Sequence, residues 1–310
     1  YLGARTRFVD VSPTDLNLDP ARVRALIEQA YLRRDSSLHH RDTGGRLRAL
    51  LPIHYGGHAC DMSAMQAIAD EYGLFLLDDA AHALPASRDG RKVGAMGCPT
   101  AFSFYATKTL TTGEGGMLTT DDDALAARAR LMGLHGISRD AWKRYAADGT
   151  WFYEVVEAGY KYNLTDLAAA MGRVQLRRIG QMREARAEIA ARYQAAFGGL
   201  PELECPTVAP RVEHAWHLYP LRLRLDLLTI DRARFIEELR HRQIGTSVHF
   251  IPLHRQPFYA DRYGYRPADF PVAEAEFPRL ISLPIYSRMS VADTESVIDA
   301  VADVAERHRR

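Results

Sequence analysis

Leu74-Phe75-Leu76-Leu77 is an unbroken apolar run that stops at two adjacent acids, Asp78-Asp79. A short run without polar alternation suits a strand covered on both faces, which is the signature of a parallel sheet flanked by helices. Acids at the carboxyl end of such a strand mark a site, because open α/β sheets receive ligands there. The neighbouring sequence fits the same architecture. Asp19-Pro20 reads as a helix start: a side-chain acceptor for orphan N–H groups, then a residue preset to helical φ. Asp61 is placed to cap a second helix carrying Met65, Ile68, Ala69 and Tyr72 on one face, with Gly73 to end it. Residues 100–105 (TAFSFY) and 117–120 (MLTT) read as further strands, and Asp121-Asp122-Asp123 leads into a helix ending near His135-Gly136.

The opening residues resemble the interior of a domain, since Arg7 to Val11 already reads as a strand; further sequence upstream is therefore expected. Residues 31–49 are polar and read as a solvated loop, and residues 137–158 lack periodicity and read as a loop or inserted flap. From Thr165 an Ala- and Arg-rich helical stretch runs towards Gly198-Gly199, with Gly180 as a candidate break, and connects two domains. The Arg-rich face at 173–192 reads as a solvated helix surface. Beyond it, a strand is expected at 216–225, a helix from Asp231 to Gln243, a strand at 246–250, and a last helix opened by the capping box Ser290/Asp293. The expected architecture is α/β: a large domain over 1–195 with a mostly parallel sheet, and a smaller α+β domain over 196–310.

Composition excludes several classes of function. The 310 residues carry 40 basic and 39 acidic side chains for a net charge of +1, so nothing marks the chain for nucleic acid or an anionic membrane surface. An anionic ligand would have to be held locally. No apolar run reaches the 18 residues needed to span a bilayer. Cys60, Cys98 and Cys205 lie far apart with no CxxC pair, which suits a reducing cytosol and argues against structural zinc; no metal site is expected. Only four of the basic residues are lysines: Lys92, Lys108, Lys143 and Lys161.

Chemistry concentrates in residues 76–116, LLDDAAHALPASRDGRKVGAMGCPTAFSFYATKTLTTGEGG. The stretch joins the acid pair to His82, to Ser103 and Lys108 after a strand, and to Gly113, Gly115 and Gly116, which permit close backbone approach. A lysine buried there would have a lowered pKa and become a nucleophilic amine able to condense with an aldehyde. The blocks DDAAHA and FSFYATKTLTTGEGG closely resemble the signature of the DegT/DnrJ/StrS family, fold-type I pyridoxal-phosphate (PLP) enzymes that aminate nucleotide-linked keto sugars. GYKYNLTDLAAA (159–170), HAWHLYPLRL (214–223), VHFIPLH (248–254) and SLPIYSRMS (282–290) resemble later blocks of the same family in the same order. They are most similar to the branch that makes 4-amino-4-deoxy-arabinose for lipid A.

The resemblance implies a role for each matching position. Lys108 would bond to the cofactor aldehyde as a Schiff base and later move the substrate proton. Asp79 would hold the pyridine nitrogen protonated, His82 would lie near the ring and its 3-hydroxyl, and Ser103 would contact the phosphate. Lys161 or Asn163 would reach across a homodimer interface to the phosphate. His249 and His254 would stand near the sugar-nucleotide entrance, with Tyr286 in the sugar pocket and Arg255 and Arg288 near the diphosphate. Glutamate is the expected amino donor, C4 the expected position, and the cytoplasm the expected compartment. Family members also carry an upstream glycine- and threonine-rich loop at a helix N-terminus that grips the phosphate, which nothing in these residues matches.

Each residue has a plainer reading. Asp78 and Asp79 could be a helix cap and its neighbour, His82 a satisfied core histidine, Ser103 a strand hydroxyl, and the glycine cluster a turn. His54, His135, His214 and His217 read as packing residues. Two functional alternatives remain: a dehydratase or deoxygenase of the same family, whose members often replace the lysine with histidine, and a catalytically silent regulatory paralogue.

Overall fold

The computed structural model describes residues 2–137 and 153–310. The expected flap lies mostly at 138–152, outside the described residues. Its described flanks are tied together by an antiparallel bridge between Ile137 and Val155.

In chain order, α1 (Pro20–Ala30) begins where Asp19 accepts from the Ala21 N–H and Pro20 fills the first turn. A two-stranded antiparallel hairpin follows, β1 (Tyr31–Arg34) and β2 (Ser37–His40). The solvated loop expected over 31–49 is thus partly a hairpin, because Tyr31 and Leu38 join the core beside Val23 and Ile27 of α1. The expected strand at 7–11 is also corrected. That segment is extended and carries a single bridge, Val11 to Leu18. Its Asp10 side chain is buried and accepts from the Val272 and Ala273 N–H groups far along the chain.

β3 (Ala49–Leu50), α2 (Met62–Tyr72), β4 (Phe75–Leu76) and β5 (Asp78–Asp79) build the centre of the large domain. Asp61 caps α2 through the Ala64 N–H, and Gly73 ends it at φ 65°, ψ 42°. Met65, Ile68 and Ala69 are buried as their spacing requires. Next come β6 (Ser87–Arg88), β7 (Arg91–Lys92), β8 (Thr100–Ser103) and β9 (Gly116–Thr119). Ladder bonds link residues 49–54, 75–79, 100–103 and 116–119 side by side: the first two pairings are parallel, and β8 with β9 is antiparallel.

The sheet is not covered on both faces in the described chain. Successive side chains alternate between faces, so Leu76 and Asp78 are buried on one side with α2, while Phe75, Leu51 and Ile53 are about half exposed on the other. Asp79 belongs to the open face.

α3 (Asp123–Gly133), capped by Asp122, leads to α4 (Asp166–Phe197), a 32-residue helix that runs through Gly180 without a break. α4 delivers Ile189, Tyr193 and Phe197 to a second core shared with β10 (Leu203–Glu204), β12 (Tyr219–Leu223) and later elements. β11 (Val212–Glu213), between those two strands, pairs instead with β6. After β12 come α5 (Arg232–His241), α6 (Pro257–Tyr263), α7 (Pro271–Glu276), β13 (Leu280–Leu283) and α8 (Val291–Arg307), the last opened by the expected capping box of Ser290 and Asp293. The small sheet is antiparallel in the order β10, β12, β13. The strand expected at 246–250 reduces to one bridge, Ser247 with Ser282. That contact nonetheless sets His249 beside β13.

Candidate active site

The site forms at the carboxyl end of the large sheet. β8 ends at Ser103, whose Oγ accepts from the Tyr105 N–H at 3.3 Å, and a tight turn brings the chain back into β9. Glycine is required in that turn. A Cβ on Gly115 would lie 2.4 Å from Thr112 Oγ1, and one on Gly116 would lie 2.7 Å from the Phe102 carbonyl oxygen. Close packing of the return strand therefore explains Gly115 and Gly116, while Gly113 has open space around it and adopts φ 79°.

Lys108 rises from this turn and is half-buried. Burial lowers the pKa of its amine, while the Asp79 carboxylate partly restores it. Asp79 has one oxygen fixed, Oδ1 accepting from the Ala81 N–H at 2.9 Å. His82 follows on the same turn. Burial first, then the positive charge of Lys108 and the neighbourhood of His249, push its ring down to about 3, so the imidazole is neutral. Its Nδ1 accepts from the Gly56 N–H at 3.3 Å, which leaves Nε2 as the protonated nitrogen.

Three residues reach this cluster from elsewhere in the chain. The His217 ring lies 4.3 Å from that of His82, centroid to centroid, and is driven down to about 2 by burial, His82 and Lys108. Phe250 stacks on His82 at 6.0 Å. His249 is lowered by burial and by Lys108; its Nδ1 is 2.8 Å from Ser282 Oγ, and its carbonyl accepts from the Tyr55 hydroxyl at 2.7 Å. Gly57, at φ 101°, permits the convergence, since a Cβ there would stand 3.0 Å from both the His82 carbonyl oxygen and Ala215 Cβ.

Lys108, Asp79, His82 and His249 therefore act on one another electrostatically, with Ser103 at the end of the strand that leads to Lys108. Lys161 and Asn163 are exposed, in the segment before α4, where Lys161 bridges Leu134. His254 is buried, stacks on Phe270 at 4.4 Å and has Nε2 2.6 Å from Glu274 Oε1. Arg255 pairs with the same carboxylate, and Glu274 is held at about 2 chiefly by that guanidinium. Tyr286 and Arg288 are exposed on the segment after β13.

Sequence reasoning missed Tyr55, His217 and Arg186. Arg186 lies within the Arg-rich stretch expected to be solvated, yet it is buried. Its Nη1 donates to the carbonyls of Trp216 at 2.9 Å and Ile285 at 2.8 Å, and desolvation pulls its pKa down to about 10. Its place on the face of Ile189, Ala190 and Tyr193, three, four and seven residues further on, is the signal that could have found it.

The donor set suits PLP. A half-buried amine can bond to an aldehyde, a strand-end carboxylate can meet a ring nitrogen, and a neutral imidazole can offer a flat face.

A model of the DegT/DnrJ/EryC1/StrS aminotransferase family matches residues 1–302. The spore coat polysaccharide biosynthesis protein SpsC of Bacillus subtilis is 45% identical over 307 residues, covering 99% of this chain and 75% of that protein. Among solved structures, DesV of S. venezuelae, in complex with a ketimine intermediate, is 32% identical with a TM-score of 0.82, over 96% of this chain and 72% of that one. The PLP form of a sugar aminotransferase, Spr1654 of Streptococcus pneumoniae, is 26% identical with a TM-score of 0.83, over 99% and 76%. With its strand-end lysine and carboxylate and a family match along nearly its whole length, the chain belongs to the DegT/DnrJ/EryC1/StrS family, PLP-dependent sugar aminotransferases of fold type I.

Proposed function

We propose that this chain aminates a nucleotide-diphosphate-linked keto sugar at C4, taking the amino group from glutamate, with PLP held at Lys108. The observation that carries the reading is the placement of Lys108: its amine is partly desolvated yet stays within the field of Asp79. When bound, the cofactor would supply an aldehyde and a ring that takes up the electron pair left on the carbon when its proton is removed.

The protein's part follows from its groups. Lys108 would hold the cofactor through its amine and, once free, would move the substrate proton as a general base and acid. A lowered pKa raises the share of the neutral amine, which holding the aldehyde and accepting the proton both need. Asp79 keeps the ring nitrogen protonated. His82 presents a neutral ring, and Ser103 a hydroxyl to the phosphate.

Lys161 or Asn163, both exposed on this chain among Tyr160, Tyr162 and Leu167, completes the phosphate site of a partner copy in a homodimer. His249, His254 and Tyr286 serve the sugar side, and Arg255 and Arg288 the diphosphate. The C4 reading rests on the GYKYNLTD and VHFIPLH blocks. The large domain is taken as 1–195 and the small one as 196–310. The compartment is the cytoplasm, which suits three free cysteines.

A panel of keto acceptors with glutamate tests the substrate. A pocket built for sugar hydroxyls rejects an acceptor that leaves its polar groups unpaired. UDP- or dTDP-linked 4-keto sugars should be aminated, and free 2-keto acids other than 2-oxoglutarate, the product of the donor half-reaction, should not; the reverse pattern refutes the assignment. Borohydride reduction with peptide mapping should place the cofactor on Lys108, and a label on another lysine would refute its role.

A further inference from the structure

Behind Asp79 lies a second carboxylate that the proposed chemistry does not use. Asp78 points to the opposite face of β5 and is completely buried. Its Oδ2 is 3.2 Å from His54 Nε2 and 3.8 Å from Cys98 Sγ, and its Oδ1 is buried without a hydrogen-bond partner among the described residues. His54 is also completely buried. Its Nδ1 accepts from the Cys60 N–H at 2.9 Å, so Nε2 carries the proton and donates to Asp78.

The pair sits at a junction. The His54 backbone N–H donates to the Asp79 carbonyl at 3.2 Å, and the Asp79 N–H donates to the Pro52 carbonyl at 2.9 Å. His54 therefore grips both acids, Asp78 through its ring and Asp79 through its backbone. The next two residues reach the remaining site groups: the Tyr55 hydroxyl donates to the His249 carbonyl, and the Gly56 N–H to His82 Nδ1. One tripeptide thus touches three site elements, and among the described residues its only side-chain anchor on the sheet is the buried contact with Asp78.

A buried half-satisfied carboxylate costs stability unless something is gained, because each unpaired buried polar atom is expensive. We propose that Asp78 and His54 are positioning residues, whose buried contact sets the Asp79 carboxylate and the His82 ring in register with Lys108. The inference rests on the PLP reading for its catalytic consequence; the geometry it describes belongs to the protein alone. Losing the contact lets the 54–56 segment shift against β5. A displacement of about 1 Å at a reacting centre can cost on the order of a hundredfold in rate.

The test uses full-length Asp78→Asn and His54→Asn proteins, singly and together, with His54→Gln as the conservative variant and Phe235→Leu, in the second core, as a buried control away from the site. In cofactor-free protein, histidine ring NMR follows His82, which stays neutral to about pH 3 in the parent. In Asp78→Asn and His54→Asn it should titrate closer to the ordinary histidine range, near 6.5. With cofactor bound, the pH at which the Lys108-linked chromophore changes should move by about one unit or more, and kcat should fall roughly ten- to a hundredfold with the glutamate KM held within about twofold. The double variant should lose no more than either single variant, since the two act as a unit. His54→Gln, whose amide can still donate to Asp78, should recover most of the parental behaviour, and Phe235→Leu should lower the melting temperature without moving the chromophore.

An unchanged His82 titration together with an unchanged chromophore overturns the proposal, as do losses that simply add in the double variant. Should either asparagine variant fail to fold, the other decides together with His54→Gln by the same two titrations: a shift in the asparagine variant that His54→Gln recovers supports the pair, and no shift, or a shift in His54→Gln just as large, counts against it. A parent protein that forms no chromophore with PLP sinks the functional reading instead, while the His82 titration still judges the pair.

Discussion

Charge balance at Lys108 governs what the site can do. Its amine is pulled down by burial and held up by Asp79, and three neutral imidazoles lie within its field. Asp79→Asn should leave the fold intact and the cofactor bound, yet slow transamination about thirty- to a thousandfold, which corresponds to roughly 2–4 kcal/mol in the transition state. Single-turnover kinetics with glutamate checks this, and near-normal turnover would refute the role of Asp79. The histidines also predict a pH effect. His82 has a folded value of about 3, against about 6.5 unfolded. Between those values the unfolded chain binds the extra proton, so stability rises with pH through the window and is lost as pH falls from about 6.5 towards 3. Replacing the ring, as in His82→Phe, should flatten the curve of melting temperature against pH by up to one proton's worth. Equal slopes for parent and variant would contradict the burial assigned to this ring.

At the scale of elements, α4 carries more than a connector requires. Its exposed arginines are solvated, but Arg186 turns inward and donates to the backbone beside both His217 and Tyr286. Removing a buried guanidinium leaves those carbonyls unpaired in a dry environment. Arg186→Gln should therefore cost about 3 kcal/mol of stability, measured by urea unfolding. It should also raise the KM for the sugar acceptor, because the 216–217 and 285–286 backbones are held from the same atom. A loss below about 0.5 kcal/mol would show that the arginine is merely tolerated there.

For the whole molecule, the open face of the large sheet and the exposed segment from Tyr160 to Leu167 bear on assembly. If Asn163 completes a partner's phosphate site, a mixture of Lys108→Ala and Asn163→Ala proteins should regain activity, since a mixed dimer contains one site with neither lesion. Each variant alone should be inactive or cofactor-poor. No recovery on mixing, with mixed dimers demonstrated by differential tagging, would place Asn163 outside its partner's site.

Much of the fold was legible because its signals are local. A capping side chain acts within three residues of itself, as those of Asp19, Asp61, Asp122 and Ser290 do, and Gly73 ends α2 by its own φ. The motif around Lys108 was legible for the same reason: strand, turn and return strand lie within twenty residues, and their close packing demands glycine. The hairpin at 31–40 was read as loop because its apolar residues are few and acquire meaning only against α1. The strand at 246–250 was over-read because its partner, Ser282, makes only one bridge. His217 could not be singled out, since its burial depends on what packs around it, whereas Arg186 shares the helical face of Ile189 and Tyr193 and was open to a periodicity argument. The chain's own residues determined the caps, the central strands and the lysine motif through short-range sterics and hydrogen bonding. The tertiary structure alone decided which histidines surround that lysine, and which of Asp78 and Asp79 takes the covered face of the sheet, because these depend on segments far apart in sequence meeting at one end of a sheet.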